Sequence, residues 1–328
     1  MEKSSLNMNM DMKSGHEPAH AGVVTEVSGA SYIVVTDDGT EFRARTFPGT
    51  KTGNGDTSLV AVGDRVELKV IETGTELCEA AITLVLPRRS ALTRKRDVRR
   101  NRSKEKTQVI AANIDQLVVV VSAFDPLLNT RLIDRYLVFA ESEKLDTIIV
   151  VNKMDLDDTS ETQEMMKPYK ALGYTVFYTS AEKKRGMKHL KKALSGKLSA
   201  FSGHSGVGKS TLINQLFGHD RLKTGETSEK TGKGLHTTSN SVMLLLPGGG
   251  YIIDTPGIRE FNLSDITRDN LRFYFKEFLT YMPDCAYSSC SHTVEPKCGI
   301  MAAVESGHID SERYESYLAI YESIDRES

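Results

Sequence analysis

Apolar and polar positions follow two different rhythms along this chain. Between residues 20 and 87, short Val-, Ile- and Thr-rich segments alternate in and out with period two, broken by turn signals. The pattern predicts strands at Gly22–Val27, Tyr32–Thr36, Glu41–Arg45, Asp64–Ile71 and Glu79–Leu84, with a hairpin turn at Asp37-Asp38-Gly39. Five short strands in about 70 residues imply a small closed barrel. An oligonucleotide-binding barrel leads among the small barrels that share this pattern.

From residue 107 onward the rhythm changes. Apolar runs at Asp115–Ser122, Thr147–Val151, Thr175–Tyr178 and Leu198–Ser202 are separated by helical periodicities over Thr130–Glu143, Ser160–Leu172, Gly186–Leu194 and Ser210–Phe217. Apolar strands alternating with amphipathic helices predict a parallel sheet covered on both faces. A further helix is expected near Ile266–Met282, opening a mostly helical C-terminal region. No repeat of fixed period is visible, and residues 1–20 show no periodicity, which predicts disorder there. The expected division is a disordered extension (1–20), an all-β barrel (21–87), a linker (88–106), a central α/β domain (107–262) and a helical C-terminal domain (263–328).

Composition alters this picture mainly through charge. With 39% hydrophobic and 26% charged residues the chain suits a soluble globular protein. No apolar run approaches the ~18 residues of a membrane helix, and the polar, Met-rich N-terminus lacks the apolar centre of a secretory signal. A cytoplasmic protein without membrane contact is expected. The net charge of −2 conceals an uneven distribution. Residues 88–106 hold ten basic and two acidic side chains, and both flanking segments are net acidic. The basic run has few large apolar residues and reads as an exposed linker, either a solvated connector or a phosphate-contacting arm with salt-dependent binding. In the barrel, Arg43, Arg45 and Lys51, interleaved with Phe42 and Phe47, form a local patch suited to phosphate contact and base stacking.

The strand at Leu198–Ser202 runs into Gly203-His204-Ser205-Gly206-Val207-Gly208-Lys209-Ser210, which satisfies G-x-x-x-x-G-K-[ST] in its required strand-to-helix context. Glycines let backbone N–H groups turn around a phosphate, and the following helix adds its positive end. Lys209 would reach the β- and γ-phosphates, Ser210 would bind Mg²⁺, and Thr211 continues the cradle. Asn152-Lys153-Met154-Asp155 ends the second apolar strand. The Asp155 carboxylate can accept from both N1–H and the exocyclic amine of guanine, a donor pair that adenine lacks. An ATP-driven reading would make this motif a coincidence. Ser180 and Ala181, in Thr179-Ser180-Ala181 at the end of the third strand, would complete the base pocket. Asp254 and Gly257, in Asp254-Thr255-Pro256-Gly257, would hold Mg²⁺ and sense the γ-phosphate. Between the phosphate loop and this motif lies the polar stretch Thr224–Ser241, from which Thr238, or Thr237, would close onto Mg²⁺.

Cys285, Cys290, His292 and Cys298 form C-x₄-C-x-H-x₅-C, three thiolates and one imidazole within 14 residues. Four protein ligands suit tetrahedral Zn²⁺ with no open position, hence a structural metal. Cys78 reads as a small core residue of the barrel. Tyr314, Tyr317, Leu318 and Tyr321, in the acidic tail, read as packing residues rather than a stacking platform.

The motif order differs from that of most small GTPases, where the phosphate loop comes first. Here N-K-x-D and T-S-A precede it and D-T-P-G comes last, which is a circular permutation. Barrel, permuted motifs and C-terminal metal site together resemble the bacterial circularly permuted, ribosome-small-subunit-dependent GTPase A family over about residues 20–325. The resemblance implies a GTP hydrolase that binds the small ribosomal subunit and its rRNA, acts late in the subunit's maturation, and is released when subunit-stimulated hydrolysis occurs. It also implies a monomer holding one structural zinc and Mg²⁺ with GTP or GDP. Ras-like GTPases carry a water-orienting Gln directly after the D-x-x-G glycine; here Ile258 stands there and can do no such work. Gly234-Leu235-His236-Thr237-Thr238 matches the family's G-x-H-T-T pattern, so His236, with Lys209 and Thr238, is the candidate catalytic set. Ile258 leaves a second reading open, an RNA-binding assembly factor that uses GTP mainly as a structural ligand.

Overall fold

A computed structural model describes residues 20–54, 59–72, 78–95, 107–219, 242–254 and 266–324. The N-terminal strands are β1 (His20–Ser28), β2 (Ser31–Thr36), β3 (Glu41–Arg45), the two-residue β4 (Lys51–Thr52), β5 (Arg65–Glu72) and β6 (Cys78–Val85). Strand β1 pairs antiparallel with β2 and β5, β2 with β3, and β5 with β6, while β3 and β6 close the ring in parallel. An up-and-down barrel has only antiparallel neighbours, so the parallel closure selects the oligonucleotide-binding type. Alternation sends Val24, Val34, Phe42, Ala44, Leu68 and Ile82 into the barrel core. Phe42 therefore cannot stack on a base as the sequence patch suggested. Period two on β3 turns it inward while Arg43 and Arg45 face solvent, and only Phe47 remains exposed.

The basic run is in part folded rather than a plain exposed linker, although Arg89 within it is exposed. Residues Ala91–Lys95 form β7, paired antiparallel with β8 (Thr107–Ala112), and Leu92 is buried in the core of the following domain. The Arg88 side chain is buried too. Its Nε and Nη2 donate to the two carboxylate oxygens of the fully buried Asp64, at 2.8 and 2.7 Å. Asp64 also accepts the Ala61 N–H at 2.7 Å. A bidentate pair saturated in this way survives burial because the remaining lone pairs are used. Beside it, Asn113 accepts from the Arg89 N–H and donates to the Gly63 carbonyl, both at 2.9 Å. Gly63 has φ +86°, and a Cβ there would lie 2.1 Å from the Ala112 carbonyl oxygen, so only glycine fits this clamp between barrel and α/β domain. Apolar content averaged over the whole run is low, yet its front half holds Leu92 and folds as a strand. Residues 96–106 lie outside the described residues.

The α/β domain comprises β9 (Gln116–Ser122), α1 (Thr130–Ser142), β10 (Asp146–Asn152), α2 (Glu161–Met165), α3 (Lys167–Ala171), β11 (Thr175–Tyr178), α4 (Met187–Leu194), β12 (Leu198–Ser202), α5 (Lys209–Phe217), β13 (Val242–Leu245) and β14 (Tyr251–Asp254). Its strand order is β11-β10-β9-β12-β14-β13, parallel except for the antiparallel β13, which the sequence reading did not anticipate. A single register pair, Glu26 with Val242, joins β13 to β1 and continues the sheet into the barrel. Alternate β9 residues feed two cores, Leu117, Val119 and Val121 on one face and Val118 and Val120 on the other, as a doubly covered sheet requires. The expected helix Ser160–Leu172 is two short helices, because Pro168 has no N–H to give the Glu164 carbonyl.

In the C-terminal region the single helix expected at Ile266–Met282 is broken into α6 (Arg268–Leu271), a 3₁₀ turn, α7 (Phe278–Tyr281) and a second 3₁₀ turn. Phe275 takes an extended conformation that lets its ring pack beside Phe278 and Tyr317, all fully buried. Helices α8 (Gly299–Glu305) and α9 (Ser311–Ile324) follow. Arg313 of α9 is buried against α1. It donates to Asp134 at 2.6 Å and, through Nε and Nη2, to Glu277 at 2.8 and 3.0 Å, while Tyr169 Oη donates to Asp134 at 2.8 Å. Among the described residues no helix is long and apolar enough to cross a membrane.

Candidate nucleotide site and metal centre

Because β9, β10, β11, β12 and β14 are parallel, their carboxyl ends share one edge of the sheet, where ligands of such folds bind. The phosphate loop, Asn152–Asp155 and Thr179–Ala181 collect there. Gly203 leaves β12 at φ +149°, and a Cβ would fall 2.0 Å from the Val120 carbonyl oxygen of β9. Gly208, at φ +87°, opens α5, and a Cβ there would meet Asn152 Nδ2 at 2.5 Å. Those two positions demand glycine, which sets the backbone course of the loop into α5. Lys209 Nζ donates to the Gly203 and His204 carbonyls at 2.5 and 3.0 Å, which places the ammonium over the loop.

Asn152 connects the loops. Its Nδ2 donates to the Val207 carbonyl at 3.0 Å, and its Oδ1 accepts from the Ala181 N–H at 3.1 Å and Thr179 Oγ1 at 3.2 Å. One buried amide thus fixes the phosphate loop relative to Thr179–Ala181. Lys153, at φ +58°, lays its stem beside Gly208 and donates to the carbonyl oxygen of Asp125, with the Asp125 carboxylate 3.4 Å away. A hydrogen bond from Ser180 holds the Asp155 carboxyl below the usual carboxylate range, helped by the nearby Lys183 and Arg185, so Asp155 is ionised at neutral pH and ready to accept hydrogen bonds. Asp125 belongs to none of the sequence motifs. Its signal was an acid just past the end of β9, on the same edge as the motifs. Asp254 ends β14 with its backbone at this edge, paired in register with Val242. Its side chain, and Gly257, Ile258, His236, Thr237 and Thr238, lie outside the described residues.

The C-x₄-C-x-H-x₅-C residues also converge. The ligand atoms of Cys285, Cys290, His292 and Cys298 all lie within 4.8 Å of one another. His292 Nδ1 is 3.5 Å from Cys285 Sγ and 3.4 Å from Cys298 Sγ, and those two sulfurs are 3.9 Å apart. Tetrahedral Zn²⁺ with bonds of about 2.0–2.3 Å needs ligand separations of about 3.5–3.8 Å. Burial pushes the Cys290 thiol up to about 12, raises Cys298 and lowers His292, so a cation bound here would displace thiol protons. The supporting shell is dense. Arg272 donates to the Cys290 carbonyl at 2.8 Å, Tyr314 Oη to the His292 carbonyl at 2.8 Å, Tyr317 Oη to the Ser291 carbonyl at 2.6 Å, and the Gly299 N–H to Cys285 Sγ at 3.3 Å. Glu295 accepts the N–H groups of Ser291, Thr293 and Val294 at 2.7–3.2 Å. Tyr314 and Tyr317 are thus packing residues whose hydroxyls hold the loop that carries the Cys–His cluster.

The RsgA GTPase family profile matches residues 85–264, more than half the chain. A protein of Chlorobaculum parvum named small ribosomal subunit biogenesis GTPase RsgA is 61% identical over 305 residues, covering 93% of this chain and 98% of the relative. The chain belongs to the RsgA GTPase family. A Bacteroides thetaiotaomicron protein, small ribosomal subunit biogenesis GTPase RsgA 2, is 39% identical over 92% of this chain and 96% of its own length. Among solved structures, YjeQ from Thermotoga maritima superposes with a TM-score of 0.73 at 32% identity, covering 93% of this chain and 98% of its own. YloQ, described as a circularly permuted GTPase, superposes with the same TM-score over 96% of this chain and 98% of its own at 24% identity and supports the fold alone. Family membership agrees with the barrel, the permuted α/β domain and the helical C-terminal region with its Cys–His cluster.

Proposed function

We propose that this chain is a GTP hydrolase that binds the small ribosomal subunit and acts late in its maturation, with hydrolysis stimulated by the subunit and followed by release. The observation that carries the GTPase reading is the Asn152 amide, which ties a phosphate loop to a guanine-reading loop at one sheet edge. The relatives named small ribosomal subunit biogenesis GTPases support the partner. In this reading Gly203–Ser210 and Thr211 cradle the phosphates, Lys209 moves onto the β- and γ-phosphates, and Ser210, Thr238 and Asp254 hold Mg²⁺. Asp155, with Lys153, Ser180 and Ala181, reads the base, and the Gly257 N–H senses the γ-phosphate. The protein acts as a cytoplasmic monomer. Its working units are the barrel (21–87), the α/β domain with β7 and β8 attached (88–262) and the metal-binding domain (263–328). A structural Zn²⁺ held by the Cys–His cluster fixes the last of these.

His236 is the residue proposed to orient the attacking water in place of Ile258. Single-turnover GTP hydrolysis with and without purified small subunits tests both points. The wild-type rate should rise at least about tenfold with subunits, and His236→Ala should bind GTP normally yet lose the stimulation. Ile258 favours the second reading, an RNA-binding assembly factor with GTP as a structural ligand, and that reading holds if subunits leave the wild-type rate unchanged.

Glu295 offers a narrower test of the metal loop. Glu295→Gln keeps the shape but removes the charge that three N–H groups share. Outer-shell losses of this kind weaken metal binding by about 10–100-fold. Competition with a chromogenic zinc chelator should show that drop, and an unchanged zinc affinity would deny Glu295 its organising role.

A further inference from the structure

The stretch from Lys183 to His219 contains eight Lys and Arg residues and no Asp or Glu. Most of these cations gather on one surface. On α4, Met187, Leu190 and Leu194 form the buried stripe, and every polar position between Lys188 and Lys192 is basic and exposed: Lys188, His189, Lys191 and Lys192. Lys183, Lys184 and Arg185 precede the helix and are also exposed. Past its end, Lys192 and Lys197 border a groove of about 730 Å³ that Gln116, Lys144, Tyr174 and Lys276 complete. Two of the groove's lysines are locally compensated, Lys276 by Glu141 at 2.8 Å and Lys197 by Asp146 at 3.3 Å. Lys184, Lys188, Lys191, Lys192 and Lys144 have no side-chain partner among the described residues. The helix dipole accounts only for cations in the last turn, Lys191 and Lys192. Uncompensated like charges at i, i+3 and i+4 weaken a helix, so this face has a cost without an internal return.

We propose that α4 and the groove it borders are an RNA-contacting surface that takes the phosphodiester backbone, separate from the barrel and from residues 88–106. The inference rests on the reading of the small subunit as partner and names where on the α/β domain its RNA is met. Lysines spread over a helix face act as point charges toward phosphates. Lys188 and Lys192 lie one turn apart, about 6 Å along the axis, and the groove continues the basic track toward the C-terminal domain. The surface also adjoins the base-reading loop. Ser180 and Arg185 exchange backbone hydrogen bonds at 3.2 and 3.0 Å, and the Lys183 N–H donates to Ser180 Oγ at 3.0 Å. RNA held along Lys183–Lys192 therefore bears on the loop that positions Asp155 and Ala181, a direct route from docking to nucleotide handling.

The test neutralises Lys184, Lys188, Lys191 and Lys192 together to Gln, leaving Lys183 and Arg185 beside the base loop untouched. Binding of full-length protein to purified small subunits, and to a fluorescein-labelled RNA duplex of about 16 base pairs, is measured over a range of KCl concentrations. Loss of four phosphate contacts should lower the slope of log K against log[salt] by about 3 and weaken binding about tenfold or more near 0.15 M salt. The same four positions changed to Arg should retain wild-type binding, and affinity for a fluorescent GTP analogue should stay level in both variants. If wild type binds subunits and the Gln variant matches it in slope and affinity, the surface is refuted. If wild type ignores subunits but binds the duplex through these lysines, the partner reading fails and the surface stands.

Discussion

Replacing Cys290 with serine should cost the protein its zinc and melt the C-terminal domain while the barrel stays folded. Residues 285–298 contain no helix or strand, and besides the Cys–His cluster only a few hydrogen bonds, such as Gly299 N–H to Cys285 Sγ and Ala286 N–H to the Lys297 carbonyl, tie this loop to the start of α8. Structural zinc contributes on the order of 10 kcal/mol to small sites of this kind, far more than a region so poor in regular structure can lose. Serine keeps the volume but gives up the thiolate, leaving two thiols and an imidazole that no cation holds together. Zinc content by mass spectrometry should fall from one per chain to near zero. Hydrogen exchange should rise across α7, α8 and α9, and also in α1, whose buried Asp134 would lose Arg313 when α9 detaches. Cys78→Ser, on half-buried β6 far from the cluster in sequence, should change neither readout. Full zinc occupancy with unaltered exchange in the Cys290 variant would mean that the cluster is not a structural metal site.

What could be read from residues alone was whatever rests on local pattern. Glu41–Arg45, Thr175–Tyr178 and Leu198–Ser202 were legible to the residue because alternation or a continuous apolar run is bounded by turn signals on both sides. The glycines of 203–208 and the Asn152–Asp155 motif were legible because their chemistry demands particular residue types at fixed spacing. Closure of the barrel through a parallel β3–β6 pair was not, since strand partnering is a long-range property that period two leaves open. Helix Ile266–Met282 was misread because Phe275 trades helical continuity for a place against Tyr317, a contact more than 40 residues away in sequence. Asp64 and Arg88 were invisible as a pair for the same reason: each alone looks like an ordinary surface charge.

Charge was misjudged twice by the same averaging. The net −2 hid residues 88–106, and pooling everything after residue 106 into a mildly acidic remainder hid the acid-free stretch 183–219. Within 88–106 the average erred the other way, counting Arg88 as free charge when Asp64 consumes it internally. Only the fold separates cations that serve the core from those left over for a partner. By that criterion Arg88 serves the core, whereas Lys184, Lys188, Lys191 and Lys192 are exposed and have no side-chain partner among the described residues.

Asp155→Asn should lower GTP affinity by about 30–1000-fold and shift preference toward xanthosine triphosphate. The carboxylate accepts from two guanine donors, and losing charge-assisted bonds in a site built for them costs about 2–4 kcal/mol. Asparagine presents one oxygen and one NH₂ at the same place. Against guanine, the amide NH₂ faces the exocyclic amine donor to donor. Against xanthine, which carries a carbonyl at that carbon, the same NH₂ finds an acceptor, so the penalty reverses. The substitution spares the fold, because Asp155 is half-exposed and the hydrogen bond from Ser180 can still reach the amide oxygen. Loss of affinity for the guanine nucleotide can then be assigned to base recognition. Titration with a fluorescent GTP analogue, competed by GTP, xanthosine triphosphate and ATP, distinguishes the cases. Wild type should reject ATP by the widest margin, since adenine offers neither donor in the required place. If instead ATP competes with wild type as well as GTP does, or if Asp155→Asn binds GTP undiminished, the carboxylate at the end of β10 does not read guanine, and Asn152 would be only a brace between two loops.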